Sequence, residues 1–249
     1  MMAAARTNWI TCHQPNPRAD VRLFCFPYAG GGANIYQKWA DGLPRSVEVC
    51  AVQLPGRERR MAERPLTDIR ETAARIGQAL APTLSGPFAF FGHSMGAKLA
   101  YEVALDLRER LGVEPEHLFV SGCGAPHLPD EEEPTHLMPE PEFIEKLGRL
   151  NGTPREVLEH PELMQLLLPT LRADFEAVET YTTERPARPL GCPLTAYGGL
   201  QDAEVSRADL EEWRAYTAGK FVVRMLPGDH FFLHPSEYLL LRTLARDLQ

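Results

Sequence analysis

Phe88-Ala89-Phe90-Phe91-Gly92-His93-Ser94-Met95-Gly96 is the stretch on which the fold of this 249-residue chain turns. An apolar run rich in β-formers leads into G-x-S-x-G, and a helix candidate, Met95 to Leu111, follows. A serine with glycines two before and two after it, at a strand-to-helix junction, is the pattern of a nucleophile elbow. The small residues let strand and helix approach around a strained turn, which lifts the Ser94 hydroxyl above the sheet at the helix N-terminus. Three fixed positions recur by chance; the strand before them and the helix after them carry the reading.

The same alternation extends along the chain. Strands are expected at Val21 to Phe26, Val47 to Leu54, Phe88 to Phe91, Leu118 to Ser121, Pro193 to Tyr197 and Phe221 to Leu226. Helices are expected at Ile35 to Gly42, Asp68 to Leu84, Met95 to Leu111, Ser206 to Ala218 and Pro235 to the C-terminus, with Ser206 as a cap and Asp209 in the first turn. This pattern predicts an α/β fold, a mostly parallel central sheet flanked by helices. Pro126 to Pro189 breaks it. There an acidic stretch, Asp130-Glu131-Glu132-Glu133-Pro134, leads into helical segments in which Leu163, Leu167, Leu171, Phe175 and Val178 follow a 3.6 period. We read a helical lid, about residues 126–189, inserted into one domain spanning residues 1–249; plain sheet-covering helices are the alternative.

A serine hydroxyl is a weak nucleophile until a base takes its proton and a third group orients that base. The chain order for this kind of elbow is Ser, then Asp or Glu, then His. Of the eight histidines, His230 fits best, because Leu226-Pro227-Gly228-Asp229-His230 follows the last strand; His234 is the runner-up. The acid is Asp202, just past a strand end, in preference to Asp229, whose adjacency to His230 makes the required hydrogen bond awkward. His93 sits inside the elbow with its side chain directed away from Ser94. Asp229, His230 and His234 could suggest a metal site, but apolar Phe231-Phe232-Leu233 and Pro235 argue against it, and no metal is expected. The oxyanion needs two amide donors: that of Met95, and one from the loop Phe26 to Ala33, where Ala29 is preferred over Tyr28. The glycines of that loop do not complete G-x-G-x-x-G.

Composition narrows the partners. Lysine plus arginine number 26 against 34 acidic residues, a net charge of −8, so no basic excess exists for general nucleic-acid binding. No stretch approaches the ~18 apolar residues of a membrane span, and Met1 to Trp9 has no apolar signal region, so a soluble, cytoplasmic protein is expected. The five cysteines, Cys12, Cys25, Cys50, Cys123 and Cys192, read as small core residues in a reducing cytosol. One run opposes the overall charge: Gly56-Arg57-Glu58-Arg59-Arg60, followed by Arg64. It is either a solvated loop or a patch that grips an acidic partner or its phosphate through guanidinium pairs.

Five motifs in order, Phe26-Pro27-Tyr28-Ala29-Gly30-Gly31, Gln53-Leu54-Pro55-Gly56-Arg57-Glu58, Gly92 to Gly96, Gly198-Gly199-Leu200-Gln201-Asp202 and Gly228-Asp229-His230-Phe231-Phe232-Leu233, resemble those of the type II thioesterases. These are free-standing enzymes of the α/β-hydrolase fold that accompany polyketide synthases and nonribosomal peptide synthetases. The resemblance runs from about Leu23 to the C-terminal helix. It implies hydrolysis of stalled or wrong acyl groups from the phosphopantetheine arms of acyl or peptidyl carrier domains, with Ser94, Asp202 and His230 as the triad. It implies no cofactor beyond the arm that the partner carries, a monomer, and a lid over a substrate chamber; Arg57, Arg59 and Arg60 then become carrier-docking candidates. A carboxylesterase or lipase shares the elbow and triad but carries a His-Gly-Gly-Gly type of loop. A synthase-terminal cyclising thioesterase would need an upstream carrier domain, for which a chain starting so close to the fold leaves no room. A catalytically silent binding protein of the same fold is the reading from another class, opposed by the intact Ser94, Asp202 and His230.

Overall fold

The computed structural model describes residues 7–129 and 133–249; Asp130, Glu131 and Glu132 of the acidic stretch, and the start of the chain through Arg6, lie outside the described residues. The strands are β1 (Ile10–Thr11), β2 (Val21–Phe26), β3 (Val47–Val52), β4 (Phe88–His93), β5 (His117–Ser121), β6 (Leu194–Gly199) and β7 (Phe221–Leu226). They form one sheet in the order β1-β3-β2-β4-β5-β6-β7, parallel throughout except for the antiparallel β1–β3 pair. All six expected strands are present. The edge strand β1 is the addition, since two residues show no period.

The helices are α1 (Trp39–Gly42), α2 (Ile69–Leu80), α3 (Met95–Leu111), α4 (Glu140–Leu150), α5 (Arg155–Leu158), α6 (Pro161–Glu179), α7 (Arg207–Glu211) and α8 (Glu237–Asp247). Strand β4 shows why its sequence is apolar throughout: it is covered on both faces. Phe88 and Phe90 pack with Ile76 of α2 and Leu99 of α3, while Ala89 and Phe91 pack with Trp39 of α1 and Leu240 of α8. Asp68 caps α2 by accepting the Glu71 amide at 2.7 Å. Ser206 and Asp209 close a capping box on α7, as expected, but the α-helix ends at Glu211 and continues to Tyr216 as a 3-10 turn.

Helices α4 to α6 lie between β5 and β6 with no strand among the described residues there. They have a small core of their own: Phe143, Leu147, Met164, Leu168 and Leu171. The apolar stripe is rotated from its expected position. Leu163 is 41% exposed, whereas Met164 and Leu168 are buried. Among the described residues no helix is long and apolar enough to cross a membrane.

The cysteines require a correction. Strand β1 folds back on β3, pairing Thr11 with Ala51, and this sets Cys12 beside Cys50 in a disulfide. Their separation of 38 residues carries no signal until the edge strand is in place. Cys25, Cys123 and Cys192 are free and buried. Alkylation of the denatured protein is therefore expected to label three cysteines without reductant and five with it, and Cys12→Ser is expected to lower stability in urea by roughly 2–4 kcal/mol. Five labelled cysteines under both conditions would show an open pair.

Candidate active site

Strands β2, β4, β6 and β7 run parallel and end at one edge of the sheet, where the loops that leave them are gathered. The β4 loop is the elbow. Ser94 has φ 52° and ψ −119°, a region that L-residues rarely adopt. A Cβ on Gly92 would stand 2.0 Å from the Gly96 carbonyl oxygen, and one on Gly96 would stand 2.1 Å from that of Phe26. Both glycines are thus required by the approach of α3 to β2 and β4, and the N-terminal amides of α3 open beside the serine.

The loops after β6 and β7 are stitched together. The Gln201 amide donates to Gly228 O at 2.9 Å, the Gly228 amide donates to Gln201 Oε1 at 2.7 Å, and a Cβ on Gly199 would stand 2.3 Å from Asp229 O. This seam holds Asp202 Oδ2 3.0 Å from His230 Nδ1. The Asp202 side chain is fully buried, and its Oδ1 accepts the amides of Glu204 at 2.9 Å and Val205 at 3.2 Å. A carboxylate so held fixes the proton of His230 on Nδ1 and leaves Nε2 as the basic nitrogen.

The competing residues are committed elsewhere. Asp229 accepts from Asn151 Nδ2 at 3.1 Å and from the Phe231 amide at 2.9 Å. His234 Nε2 lies 3.1 Å from the Tyr28 hydroxyl; burial holds the His234 pKa down and pushes that of Tyr28 up to about 12, so the phenol donates and the imidazole accepts. His93 is fully buried on the far side of β4, with Nδ1 2.9 Å from Ser121 Oγ and its ring 5.3 Å from that of His230. Burial pushes its pKa well below the usual imidazole range. A neutral ring thus packs against His230. Asp229, His230 and His234 turn to different partners and do not converge on a metal. Among the described residues the one group with metal-compatible spacing is Cys12, Glu48 and Cys50, whose two sulfurs are bonded to each other.

The basic run is corrected here. Arg57 and Arg60 are buried, so neither offers a docking surface. Arg57 donates twice to Asp174 of α6, through Nη1 at 2.7 Å and Nη2 at 2.8 Å, and also reaches Gly31 O at 3.1 Å and Pro55 O at 3.2 Å. Arg60 pairs with Glu63 and lies over the Trp9 ring. Arg59 and Arg64 face solvent, and Arg59 already donates to the carbonyls of Asn8 and Ile10.

Asp174 was not among the expected site residues, although a charge three residues after Leu171 on the buried face of α6 is a signal. Its Oδ2 also accepts the Gly30 amide at 2.7 Å, and Thr170 of the same helix donates to Gly56 O at 2.7 Å. The Gly31 amide donates to Tyr28 O at 2.9 Å. The Gly30 and Gly31 amides are engaged, and of the loop's residues Tyr28 and Ala29 are the ones that line the cavity. Above the edge, α4 and α6 roof a cavity of about 630 Å³ whose wall includes Tyr28, Ala29, Ser94, Met95, His230 and Phe231.

A family model described as "Thioesterase domain" matches residues 21–247. The chain is 44% identical over 241 residues to the gramicidin S biosynthesis protein GrsT of Aneurinibacillus migulanus, covering 97% of this chain and 94% of that protein. It is 42% identical to the thioesterase PikA5 of Streptomyces venezuelae, over 91% of this chain and 80% of PikA5. The solved structure of the type II thioesterase BorB, from the borrelidin biosynthetic cluster, is similar with a TM-score of 0.88 at 37% identity, covering 97% of this chain and 98% of BorB.

Neutralising one partner of a buried ion pair strands the other. Asp174→Asn is therefore expected to cost about 3–5 kcal/mol in urea unfolding. Arg57→Met combined with Asp174→Leu is expected to recover most of that stability but not turnover, because the Gly30 amide has lost its anchor. A cost below about 1 kcal/mol for Asp174→Asn, the range of exposed pairs, would refute the buried pair.

Proposed function

This chain belongs to the thioesterase domain family, and on that premise we propose that it is a type II, editing thioesterase, acting as a cytoplasmic monomer. It hydrolyses stalled or aberrant acyl groups from the phosphopantetheine arms of carrier domains in polyketide or nonribosomal peptide assembly. The names of its relatives, drawn from gramicidin S and borrelidin biosynthesis, support that setting. The observation that carries the reading is one chamber walled by both Ser94 and His230, with the buried Asp202 carboxylate on His230 Nδ1.

In this reading the Ser94 oxygen attacks the thioester carbonyl while His230 Nε2 takes its proton. Asp202 steadies the imidazolium. The tetrahedral oxyanion lies between the amides of Met95 and Ala29, in a site whose dipoles are set before substrate arrives. Collapse expels the pantetheine sulfur, which takes the proton from His230 Nε2 and leaves as the free thiol; with a thiol pKa of about 8.5 that transfer need not be far advanced when the C–S bond breaks, and His230 is returned to its basic form. His230 then draws a proton from water, the hydroxide attacks the acyl-serine, and Ser94 recovers its proton as the free acid departs. Helices α4 to α6 serve as the lid, excluding bulk water and limiting the size of the acyl group.

Mass spectrometry of an acylated carrier domain tests this directly. Wild type is expected to release the acyl group, with Ser94→Ala slower by at least ~10⁴-fold, and an oxygen ester of the same acid is expected to be a poor substrate. A carrier left acylated beside rapid ester cleavage would make the protein an ordinary esterase. Asp202→Asn is expected to lower kcat by roughly 10⁴-fold, while Asp229→Asn stays within about three-fold. The reverse pattern would move the acid role to Asp229.

A further inference from the structure

Helix α4 ends in a tight turn beside the loop that carries His230. Asn151 closes the helix with φ 60°, a left-handed conformation that asparagine tolerates better than most residues, and Gly152 follows. The Asn151 side chain donates from Nδ2 to Asp229 Oδ2 at 3.1 Å, while Oδ1 of the same carboxylate accepts the Phe231 amide at 2.9 Å. A Cβ on Gly152 would stand 2.2 Å from the Phe231 ring, so that ring lies against bare backbone. The turn therefore touches the residue before His230 and the residue after it.

Phe231 carries the contact inward. Its ring is centred 5.2 Å from that of His230, 5.0 Å from that of Tyr28 and 5.8 Å from that of His93. The acid loop is met by the same helix. Lys146, one turn before the end of α4, pairs with Glu204 at 3.6 Å, and the Glu204 amide donates to Asp202 Oδ1 at 2.9 Å. On the sheet side the seam between Gln201 and Gly228 fixes both loops. On the chamber side they meet the end of α4, where Lys146, Gly152 and Phe231 all line the cavity.

We propose that Asn151 and Gly152 are positioning residues for His230, so that the base stands ready for the Ser94 proton only while α4 is seated on its loop. This deepens the thioesterase reading and rests on it: closing the chamber against water and aligning the base become one event. Neither residue touches the reacting atoms. Each acts through a chain neighbour of the base, and a tilt of the imidazole by a fraction of an ångström lengthens the path of the proton.

Labelling of Ser94 by a fluorophosphonate reads the base without a thioester, because the serine oxygen must still give up its proton. Asn151→Gly keeps a residue suited to φ 60° and removes only the side chain. It is expected to slow labelling about three-fold, the worth of one hydrogen bond. Gly152→Ala pushes the Phe231 ring aside and is expected to slow labelling about ten-fold. Both variants are expected to keep the wild-type midpoint in urea, and the low-field NMR signal of the His230 Nδ1 proton is expected to broaden in each. A wild-type labelling rate in either folded variant, or slower labelling with an unchanged proton signal, would overturn the proposal. If Gly152→Ala fails to fold, Asn151→Gly decides alone. Hydrolysis of an acyl-pantetheine thioester by the wild-type protein separates the two readings. If none is cleaved while labelling still depends on Asn151 and Gly152, the thioesterase reading falls and the positioning role stands.

Discussion

Arg57 and Asp174 stand 117 residues apart in the chain, yet their side chains, 5% and 3% exposed, meet in a bidentate pair. Burying two charges costs several kcal/mol each, so the pair is no simple source of stability. What it supplies is geometry. One guanidinium ties Pro55, Gly31 and Asp174, and one carboxylate oxygen of Asp174 also holds the Gly30 amide. Three segments that share no secondary structure, the loop after β2, the loop after β3 and helix α6, are thereby fixed to one point. Every donor in the knot has an oxygen to meet, which is the condition under which a buried polar network is tolerated. The loops after β2 and β3 are held against α6 by it.

The chemistry at the edge depends on the same economy of space. Strain at Ser94 is sustained because Gly92 and Gly96 let α3 lie against β2 and β4 with backbone in contact. His230 is oriented from two sides: Asp202 grips Nδ1, and the neutral ring of His93 packs against its own. A protonated His93 would place a like charge beside the imidazolium of the proposed mechanism, and burial prevents that. Tyr28 belongs to this layer as well, its ring against His93 and Phe231 and its hydroxyl on His234. The loop after β2 and the loop after β7 are thus packed on one another as well as on the sheet.

A triad and an oxyanion hole serve oxygen esters, thioesters and amides alike, so selectivity has to come from the walls. Those walls belong to α4 and α6, which fold around Phe143, Leu147, Met164 and Leu168 and present Phe175 and Val178 to the cavity. At the rim, a Cβ on Gly152 would stand 2.2 Å from the Phe231 ring, and Asn151 donates to Asp229. The turn after α4 therefore rests on the loop that carries His230. A shift of these helices moves contacts of the base as well as the volume of the chamber.

The sequence by itself determined the strands, the main helices, the elbow and the pairing of Asp202 with His230, since each is written locally. Apolar period, two glycines around a serine, and acidic and basic residues just past strand ends need no distant partner to be read. Cys12 with Cys50 and Arg57 with Asp174 were decided by tertiary structure alone. In the first, an edge strand of two residues had to fold back before the sulfurs could meet. In the second, the run of arginines reads as either a solvated loop or a docking patch, and it is Asp174 of α6 that turns Arg57 inward. A charge run shows its sign but not its counterion, and only long-range packing brings the two within hydrogen-bonding distance.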